Sequence, residues 1–354
     1  MKPLAIRFIF YVMWLFITSC DAKPQISNQI TLPALKSFEL SAPPMPSTKE
    51  KTLARFGKKL FFDTRLSWNN TVSCSSCHRP ELSFTDGLER ARGKAGLTMN
   101  TPTIVNSRHG KFFFWDGRAD SLAAQALSPI EHPAEHGISR GHVVAHLLRY
   151  YRQEYESHFG KISDALAAMA PTLARGALPK PKRLAITPTQ FSMVATTIAN
   201  PLWLRELLAA PEALRLNMIE SFTTAKYIPA IPKEWFGRYN SFTDGQQMAV
   251  NKVFFNFGKA LAAYQRNLMA NQSPFDIFLR RLNGQKNVTA ALSEDFGISE
   301  LRGFEIFAGS GKCHFCHSGP LFTNGAFHNI GLPQGETMPL QLGRTQGLGH
   351  LKSA

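Results

Sequence analysis

Two short runs constrain this chain more than any other feature, C-S-S-C-H at positions 74–78 and C-H-F-C-H at positions 313–317. Each has the C-x-x-C-H spacing at which haem is attached covalently in c-type cytochromes. Two thiols three positions apart can add to the vinyl groups on one porphyrin edge, and the adjacent imidazole can reach the iron as its proximal ligand. The predicted attachment residues are Cys74, Cys77 and His78 for the first haem and Cys313, Cys316 and His317 for the second.

Two other uses of paired cysteines fit the pattern less well. A four-cysteine zinc site also uses two C-x-x-C pairs, but it gives no reason for a histidine after each second cysteine. A thioredoxin-like pair requires a βαβ setting and predicts one motif rather than two. Covalent haem attachment is therefore the favoured interpretation of both motifs.

The fifth cysteine lies at the end of a typical export leader. Lys2 and Arg7 precede an apolar run at positions 8–17, which is too short to span a bilayer stably. The run ends in I-T-S-C, which resembles a lipobox with Cys20 as the lipidated residue. Asp21 resembles the signal that retains lipoproteins at the inner membrane. Ordinary cleavage nearby, which leaves Cys20 as a free thiol, is the alternative.

The leader and the haem motifs predict the same compartment. Haem attachment takes place outside the bacterial inner membrane, so we expect a periplasmic protein held to that membrane by lipid chains on Cys20. The formal charge of +15 does not indicate nucleic-acid binding, because no recognition motif is present. A basic surface suits an acidic electron donor or anionic lipid equally well.

Helical periodicity dominates the sequence after the leader. It begins near Thr52 and is clearest over 139–159, 246–270 and 299–308, whereas strand-like alternation is scarce. We therefore predict a mostly α fold with two c-type cytochrome domains, each around one covalent haem, and a helical insertion between them. The predicted segments are a signal peptide (1–20), a tether (21–48), an N-terminal cytochrome domain (49–160), an insertion of unknown role (161–245) and a C-terminal cytochrome domain (246–354).

Several residues around the first motif indicate a function only when they are considered together. Taken alone, Trp115 is most simply interpreted as a core residue and Glu135 as a solvated surface charge. Gln125 is most simply interpreted as a residue on an exposed helix face. Together with F-G-K-K-L-F-F-D at 56–63, N-T-P-T at 100–103 and F-W-D-G-R-A at 114–119, they resemble the bacterial di-haem cytochrome c peroxidase family, which includes MauG. The resemblance runs over about 52–135 and resumes from about 250 to the end.

The resemblance implies a role for each matching residue. His78 is expected to hold the peroxide-reacting haem, and His317 is expected to hold the electron-accepting haem. Glu135 is implied as the distal acid and base, with Gln125 beside it to orient peroxide. Trp115 is implied as an electron relay between the haems. Asn100 is implied as a ligand of a calcium ion.

The sequence departs from the family pattern in the loop after the first haem motif. Many members carry a histidine there that closes the iron until the enzyme is reduced, but positions 79–103 contain no histidine. His109 comes later and is interpreted as structural. We therefore expect the first haem to be open in the resting oxidised protein, as in the MauG-like branch.

A second departure concerns the sixth ligand of the second haem. In the family it comes from a later segment, as Met or, in MauG, Tyr, and only 37 residues follow His317 here. Met338 and His328 do not fall where the family places this ligand, and Met338 is interpreted as a loop residue. A C-terminally incomplete domain is the expectation.

The leading functional prediction is reduction of hydrogen peroxide to water with electrons from a small cytochrome c or cupredoxin. A MauG-like oxidase that acts on a partner protein is the alternative enzyme, and a di-haem electron carrier is the alternative from another class. The group Trp115, Gln125 and Glu135 favours an enzyme, because a carrier needs no distal acid. The oligomeric state is open, with a homodimer as one alternative.

Overall fold

A computed structural model of the chain describes residues 32–40, 45–91, 97, 99–174, 242–283, 285, 287–328, 330 and 331. Over these residues the chain is helical, with isolated β-bridges and no strand, which confirms the predicted fold class. No helix in these ranges is long and apolar enough to cross a membrane. The α-helices are α1 (Leu32–Lys36), α2 (Thr48–Phe61), α3 (Cys74–Cys77), α4 (Leu122–Glu131), α5 (Arg140–Tyr150), α6 (Arg152–Phe159), α7 (Asp164–Ala168), α8 (Ala170–Ala174), α9 (Asp244–Gln265), α10 (Pro274–Leu282) and α11 (Ile298–Ala308).

The helices begin and end close to the positions that periodicity predicts, with two informative differences. Helix α2 starts before Thr52, because the Glu50 N–H donates to the Ser47 hydroxyl at 3.2 Å and the Ser47 N–H donates to the Glu50 carboxylate at 2.7 Å. This capping box satisfies backbone donors at the helix start. The stretch 139–159 forms two helices, since Tyr151 leaves helical geometry with φ −136° and ψ 15°.

Helix α9 is the centre of the larger compact unit, whose described residues lie within 45–270 and 327–331. Its residues Phe254, Phe257 and Leu261 are buried in the main core together with side chains of α2 and α4. Burial of each such side chain contributes roughly 1.5–3 kcal/mol to folding.

Two glycines allow the helices of this core to approach closely. A Cβ at Gly57 of α2 would collide with the carbonyl oxygen of Ala260 in α9. A Cβ at Gly258 of α9 would lie 2.9 Å from the carbonyl oxygen of Ala123 in α4. Both contacts involve backbone, which cannot yield as a side chain can, so the absence of a side chain is what permits this packing.

The smaller compact unit is built from 32–40 and 271–326. Leu35 and Phe38, at and just after α1, are buried with apolar residues of α10 and α11. The rings of Phe38 and Phe304 meet edge to face at 5.2 Å, and those of Phe278 and Phe296 stack at 4.5 Å. Offset and edge-to-face aromatic pairs add to the stabilisation from burial alone.

The compact units differ from the predicted domain ranges. The C-terminal domain was predicted from 246, but α9 packs in the core of the larger unit. The start of the predicted insertion, with Ile162, Leu166 and Leu173, is also buried in that core. Periodicity shows that a helix has a buried face but not which partner covers it, which explains both differences.

Several predictions fall outside the described residues. The leader with Cys20, tether residues 21–31 and 41–44, residues 175–241 of the insertion, and Met338 all lie there. The described part of the predicted tether at 32–40 is not a linker, because Leu35 and Phe38 are buried in the core of the smaller unit. The lipid anchor on Cys20 and the role of the insertion therefore stay predictions.

Candidate functional site

The first C-x-x-C-H motif forms a single helical turn that places its three functional side chains together. The His78 N–H donates to the Cys74 carbonyl at 2.9 Å, which closes the turn. The turn starts at Ser73, whose carbonyl accepts the Ser76 N–H at 2.9 Å and whose own N–H donates to the Ser76 hydroxyl at 3.0 Å. Cys74, Cys77 and His78 consequently line the same cavity.

The imidazole of His78 is oriented by the backbone. Its Nδ1 lies 3.1 Å from the carbonyl oxygen of Phe84. A carbonyl only accepts, so Nδ1 carries the proton and Nε2 keeps the lone pair that a haem iron requires. Burial also lowers the pKa of His78, which favours the neutral, metal-binding form.

The second motif repeats this arrangement in the smaller unit. The His317 N–H donates to the Cys313 carbonyl at 2.9 Å, and His317 Nδ1 lies 3.0 Å from the carbonyl oxygen of Phe322. Phe84 and Phe322 both adopt positive φ, at 60° and 53°. Left-handed backbone at a bulky residue costs about 1–2 kcal/mol. Phe84 and Phe322 are therefore both strained in the conformation that brings their carbonyl oxygen to the histidine.

The two motifs differ in their surroundings. The first lines a cavity of about 570 Å³, part of it open to solvent. The remaining lining residues are Phe61, Val72, Ser73, Ile104, Gln125, Ala126, Pro129, Glu135, His136, Leu261 and Gln265. In the second motif Cys313 and His317 are exposed, and Phe315 is 65% exposed.

The residues of the first motif fit a covalently attached haem. Two thiols and an imidazole share one largely apolar cavity, which is the donor set and the environment that this group needs. Burial raises the pKa of the Cys74 thiol to about 12, so Cys74 behaves as a neutral apolar group in this cavity. Cys313, Cys316 and His317 provide the same donor set in the smaller unit.

Glu135 is the ionisable acid of the cavity. Its side chain is 26% exposed, and Oε1 lies 3.3 Å from Nδ1 of His132. Burial raises the pKa of Glu135 to about 7, while the positive charge of Arg118 acts in the opposite direction. Burial lowers the pKa of His132 to about 3, so the imidazole beside Glu135 is neutral. At neutral pH the Glu135 carboxyl is therefore ready both to take up and to release a proton.

The loop that carries Glu135 is fixed at both ends by a buried ion pair. Glu131 ends α4 and Arg140 begins α5, and both are 5% exposed. Arg140 Nε and Nη2 donate to the two Glu131 oxygens at 2.9 and 2.7 Å. Arg140 Nη1 donates to Asn251 Oδ1 at 2.8 Å, which ties this pair to α9. Breaking such a pair strands a buried charge, so the ends of the loop are firmly held.

Gln125 and Glu135 come together as the sequence predicts, but Trp115 lies elsewhere. Gln125 projects from α4 into the cavity wall. Trp115 is not part of that wall; it is 51% exposed, and its indole N–H donates to the Asn100 carbonyl at 3.1 Å. Among the described residues, no group of three or more His, Cys, Asp or Glu is arranged to hold a metal ion. Calcium binding by Asn100 and electron relay by Trp115 stay predictions.

The prediction from sequence does not include two polar residues that line the cavity. His136 follows Glu135 directly, and its sequence position beside an acid was an available signal. Gln265 is 4% exposed at the end of α9, and its Oε1 has no hydrogen-bond partner. No local pattern could have linked Gln265 to a motif so distant in sequence.

Comparison with known proteins finds a di-haem family model, MauG proteins and cytochrome c peroxidases. The family model described as di-haem cytochrome c peroxidase matches residues 51–185. The methylamine utilization protein MauG of Methylorubrum extorquens is 30% identical over 83% of this chain and 56% of its own length. The cytochrome-c peroxidase IdrP2 of Denitromonas iodatirespirans is 26% identical over 84% of this chain and 55% of its own length. The chain thus spans about half the length of the curated relatives it matches.

A solved structure shares the fold. A variant of the diheme peroxidase BthA from Burkholderia thailandensis matches with a TM-score of 0.52 and 17% identity, over 93% of this chain and 66% of that one. At this identity the likeness supports the helical architecture alone.

Proposed function

The chain belongs to the di-haem cytochrome c peroxidase and MauG family of oxidoreductases, and from that premise we propose that it reduces hydrogen peroxide in the cavity beside Cys74 and His78. The observation that carries the proposal is Glu135, an ionisable acid in the wall of the same cavity as the first motif. Haem, when bound, supplies a coordination position for peroxide and a redox couple that exchanges single electrons. Every other step below belongs to side chains of this chain.

Glu135 moves the proton that peroxide cleavage requires. As a carboxylate it takes a proton from one peroxide oxygen, and as an acid it returns that proton to the other oxygen while the O–O bond breaks. A pKa near 7 makes both forms accessible at neutral pH. The Gln125 amide, in the same wall, would hydrogen-bond to the oxygen atoms of peroxide and orient them. Two electrons and two protons then convert one hydrogen peroxide into two waters.

The electrons come, in this proposal, from a small cytochrome c or cupredoxin through the second motif. The exposure of His317 and Phe315 supports an entry point at the surface of the smaller unit. Because the donor gives one electron at a time, two donor molecules are oxidised per peroxide. A periplasmic location with Cys20 as lipid anchor is part of the proposal; the leader supports it, and cell fractionation tests it.

A MauG-like oxidase is the second candidate, because one of the relatives carries that name. Such an enzyme would draw its electrons from a partner protein rather than from a small electron carrier. Rapid reaction with peroxide that is not followed by oxidation of a reduced small cytochrome c would favour this candidate.

The test uses the haem-loaded protein, hydrogen peroxide and a reduced small cytochrome c. We expect Glu135→Gln to lower the second-order rate constant for peroxide by roughly 10²- to 10⁴-fold, the usual contribution of a general acid and base. Glu305→Gln is the matched control, because Glu305 also has a buried carboxyl oxygen but lies on α11 in the smaller unit. Equal rates in Glu135→Gln and the unaltered protein would contradict the proposal.

A further inference from the structure

His136 is connected to the backbone of two other segments of the chain. Its ring Nδ1 lies 2.6 Å from the carbonyl oxygen of Leu66, and its own carbonyl accepts the Trp68 N–H at 2.9 Å. Its N–H donates to the carbonyl of Pro129 at 3.2 Å. The residue next to Glu135 is thus tied on one side to the segment that leads into the haem motif and on the other to α4.

The ring of His136 has a defined orientation and tautomer. The Leu66 carbonyl only accepts, so Nδ1 is the protonated nitrogen. Nε2 then carries the lone pair, and it lies 3.9 Å from Sγ of Cys74. His136 is 5% exposed, so no water competes strongly for the Leu66 hydrogen bond.

The segment that receives these bonds is itself rigid up to the haem motif. The hydroxyl of Ser67, which is 1% exposed, donates to the Thr64 carbonyl at 2.7 Å and accepts the Val72 N–H at 3.0 Å. Residues 64–72 therefore form a closed turn that ends at the start of α3. A hydrogen bond to Leu66 consequently fixes the acid-bearing loop relative to the haem-bearing turn.

We propose that His136 is a positioning residue, which sets the distance between the Glu135 carboxyl and the haem-bearing turn through its Nδ1–H bond to Leu66. The inference deepens the proposed function and rests on it. The physical reason is the sensitivity of proton transfer to geometry, since a displacement of about 1 Å can lower a rate roughly 10²-fold. The buried Glu131–Arg140 pair holds the ends of the loop, whereas His136 holds its middle, beside the acid.

Two substitutions separate the ring nitrogens of His136. The Asn amide nitrogen is as many bonds from Cα as His Nδ1 is, so His136→Asn keeps a donor for Leu66 and loses Nε2. The Gln amide nitrogen reaches to the level of Nε2, so His136→Gln loses the Leu66 donor and keeps a polar group near Cys74. Both variants are prepared as haem-loaded full chains.

Three measurements are made on each variant. Stopped-flow absorbance gives the rate constant for peroxide, and carbon monoxide binding to the reduced protein reports access to the iron without any proton transfer. Amide hydrogen exchange reports the backbone, above all the Trp68 and Gly137 N–H groups, which donate to the His136 and His132 carbonyls.

We expect His136→Gln to lower the peroxide rate constant roughly 10- to 100-fold and to speed amide exchange at Trp68 and Gly137. His136→Asn should retain the unaltered rates of both processes, and carbon monoxide binding should be the same in all three proteins. The rescue by Asn is the result that a ring needed only for packing would not give.

Three results would overturn the inference. Equal losses in the Asn and Gln variants would mean that the ring acts through its packing or through both nitrogens together, not through the Nδ1–H bond to Leu66. No loss in either would mean that Glu135 is positioned by other contacts. If the unaltered resting protein has a low-spin spectrum and both variants lose it, His136 would be an iron ligand instead. Failure of the proposed function is recognised separately, by a Glu135→Gln variant that reacts as fast as the unaltered protein.

Discussion

The two C-x-x-C-H motifs share their local structure and differ in almost everything around it. In both, the histidine Nδ1 is bonded to the carbonyl of a phenylalanine with left-handed backbone, Phe84 or Phe322. The first motif faces a cavity with an acid, two amides and a second imidazole, whereas His317 is exposed. The comparison teaches that the motif and its carbonyl partner specify the orientation of the histidine, whereas the polar groups around that histidine depend on the residues that other segments bring to it.

The strongest test of this comparison removes the histidine of each motif in turn. His78→Gly should lower the rate constant for peroxide by ~10³-fold or more, because the acid and base of the cavity then act beside an unsupported iron. His317→Gly should leave that rate constant roughly unchanged and should slow the oxidation of the electron donor. Haem content is measured first in both variants. Equal loss of the peroxide reaction in the two variants would show that the motifs do not divide the work.

Substitution of one glycine in each unit tests whether the two units also differ in how closely their helices pack. Gly57→Ala should destabilise the larger unit by about 1–3 kcal/mol, because its Cβ meets the Ala260 backbone. A Cβ atom added at Gly303 of α11 would have no atom within 4 Å beyond its own stretch of helix. Gly303→Ala should therefore stabilise the smaller unit by up to about 1 kcal/mol, because alanine favours the helix more than glycine does. Amide exchange, read separately in 45–174 and 271–326, checks both. A Gly57→Ala protein with unchanged exchange would contradict the close approach of α2 and α9.

The smallest effect concerns the pH dependence of the first motif. Burial raises the pKa of Glu135 to about 7, and only its carboxylate form can take the proton from peroxide. The peroxide rate constant should therefore rise about tenfold per pH unit below 7 and level off above it, because the base form is then complete. In Glu135→Gln this dependence should disappear. Stopped-flow measurements from pH 5 to 9 make the comparison, and a flat profile in the unaltered protein would count against Glu135 as the base.

Much of this site was predictable because its signals are local. The C-x-x-C-H spacing follows from the chemistry of covalent haem attachment, so it predicts the attachment residues without knowledge of the fold. Gln125 and Glu135 lie on or just after one helix, and the structure does bring them to one cavity. The start of α2 carried a readable signal as well, since Ser47 and Glu50 have the spacing of a capping box.

The residues that escaped prediction depend on contacts between distant segments. Gln265 reaches the cavity because α9 crosses α2 and α4, and periodicity alone does not say which helices a buried face meets. The function of His136 depends on the Leu66 carbonyl, a backbone atom that no side-chain pattern encodes. Close packing at Gly57 and Gly258 is likewise a pairwise property, whereas a sequence presents each glycine alone.

The order of the two units along the chain has a consequence for folding. The core of the larger unit joins α2 to α9, and that of the smaller unit joins Leu35 and Phe38 to α10 and α11. Neither core can close until its partner helices from the second half of the sequence have been made. Long-range closure of this kind slows folding and keeps apolar surface exposed for longer. The first C-x-x-C-H motif, at 74–78, should accordingly stay accessible until α9 has been made, whereas the buried residues of the smaller unit all precede the second motif.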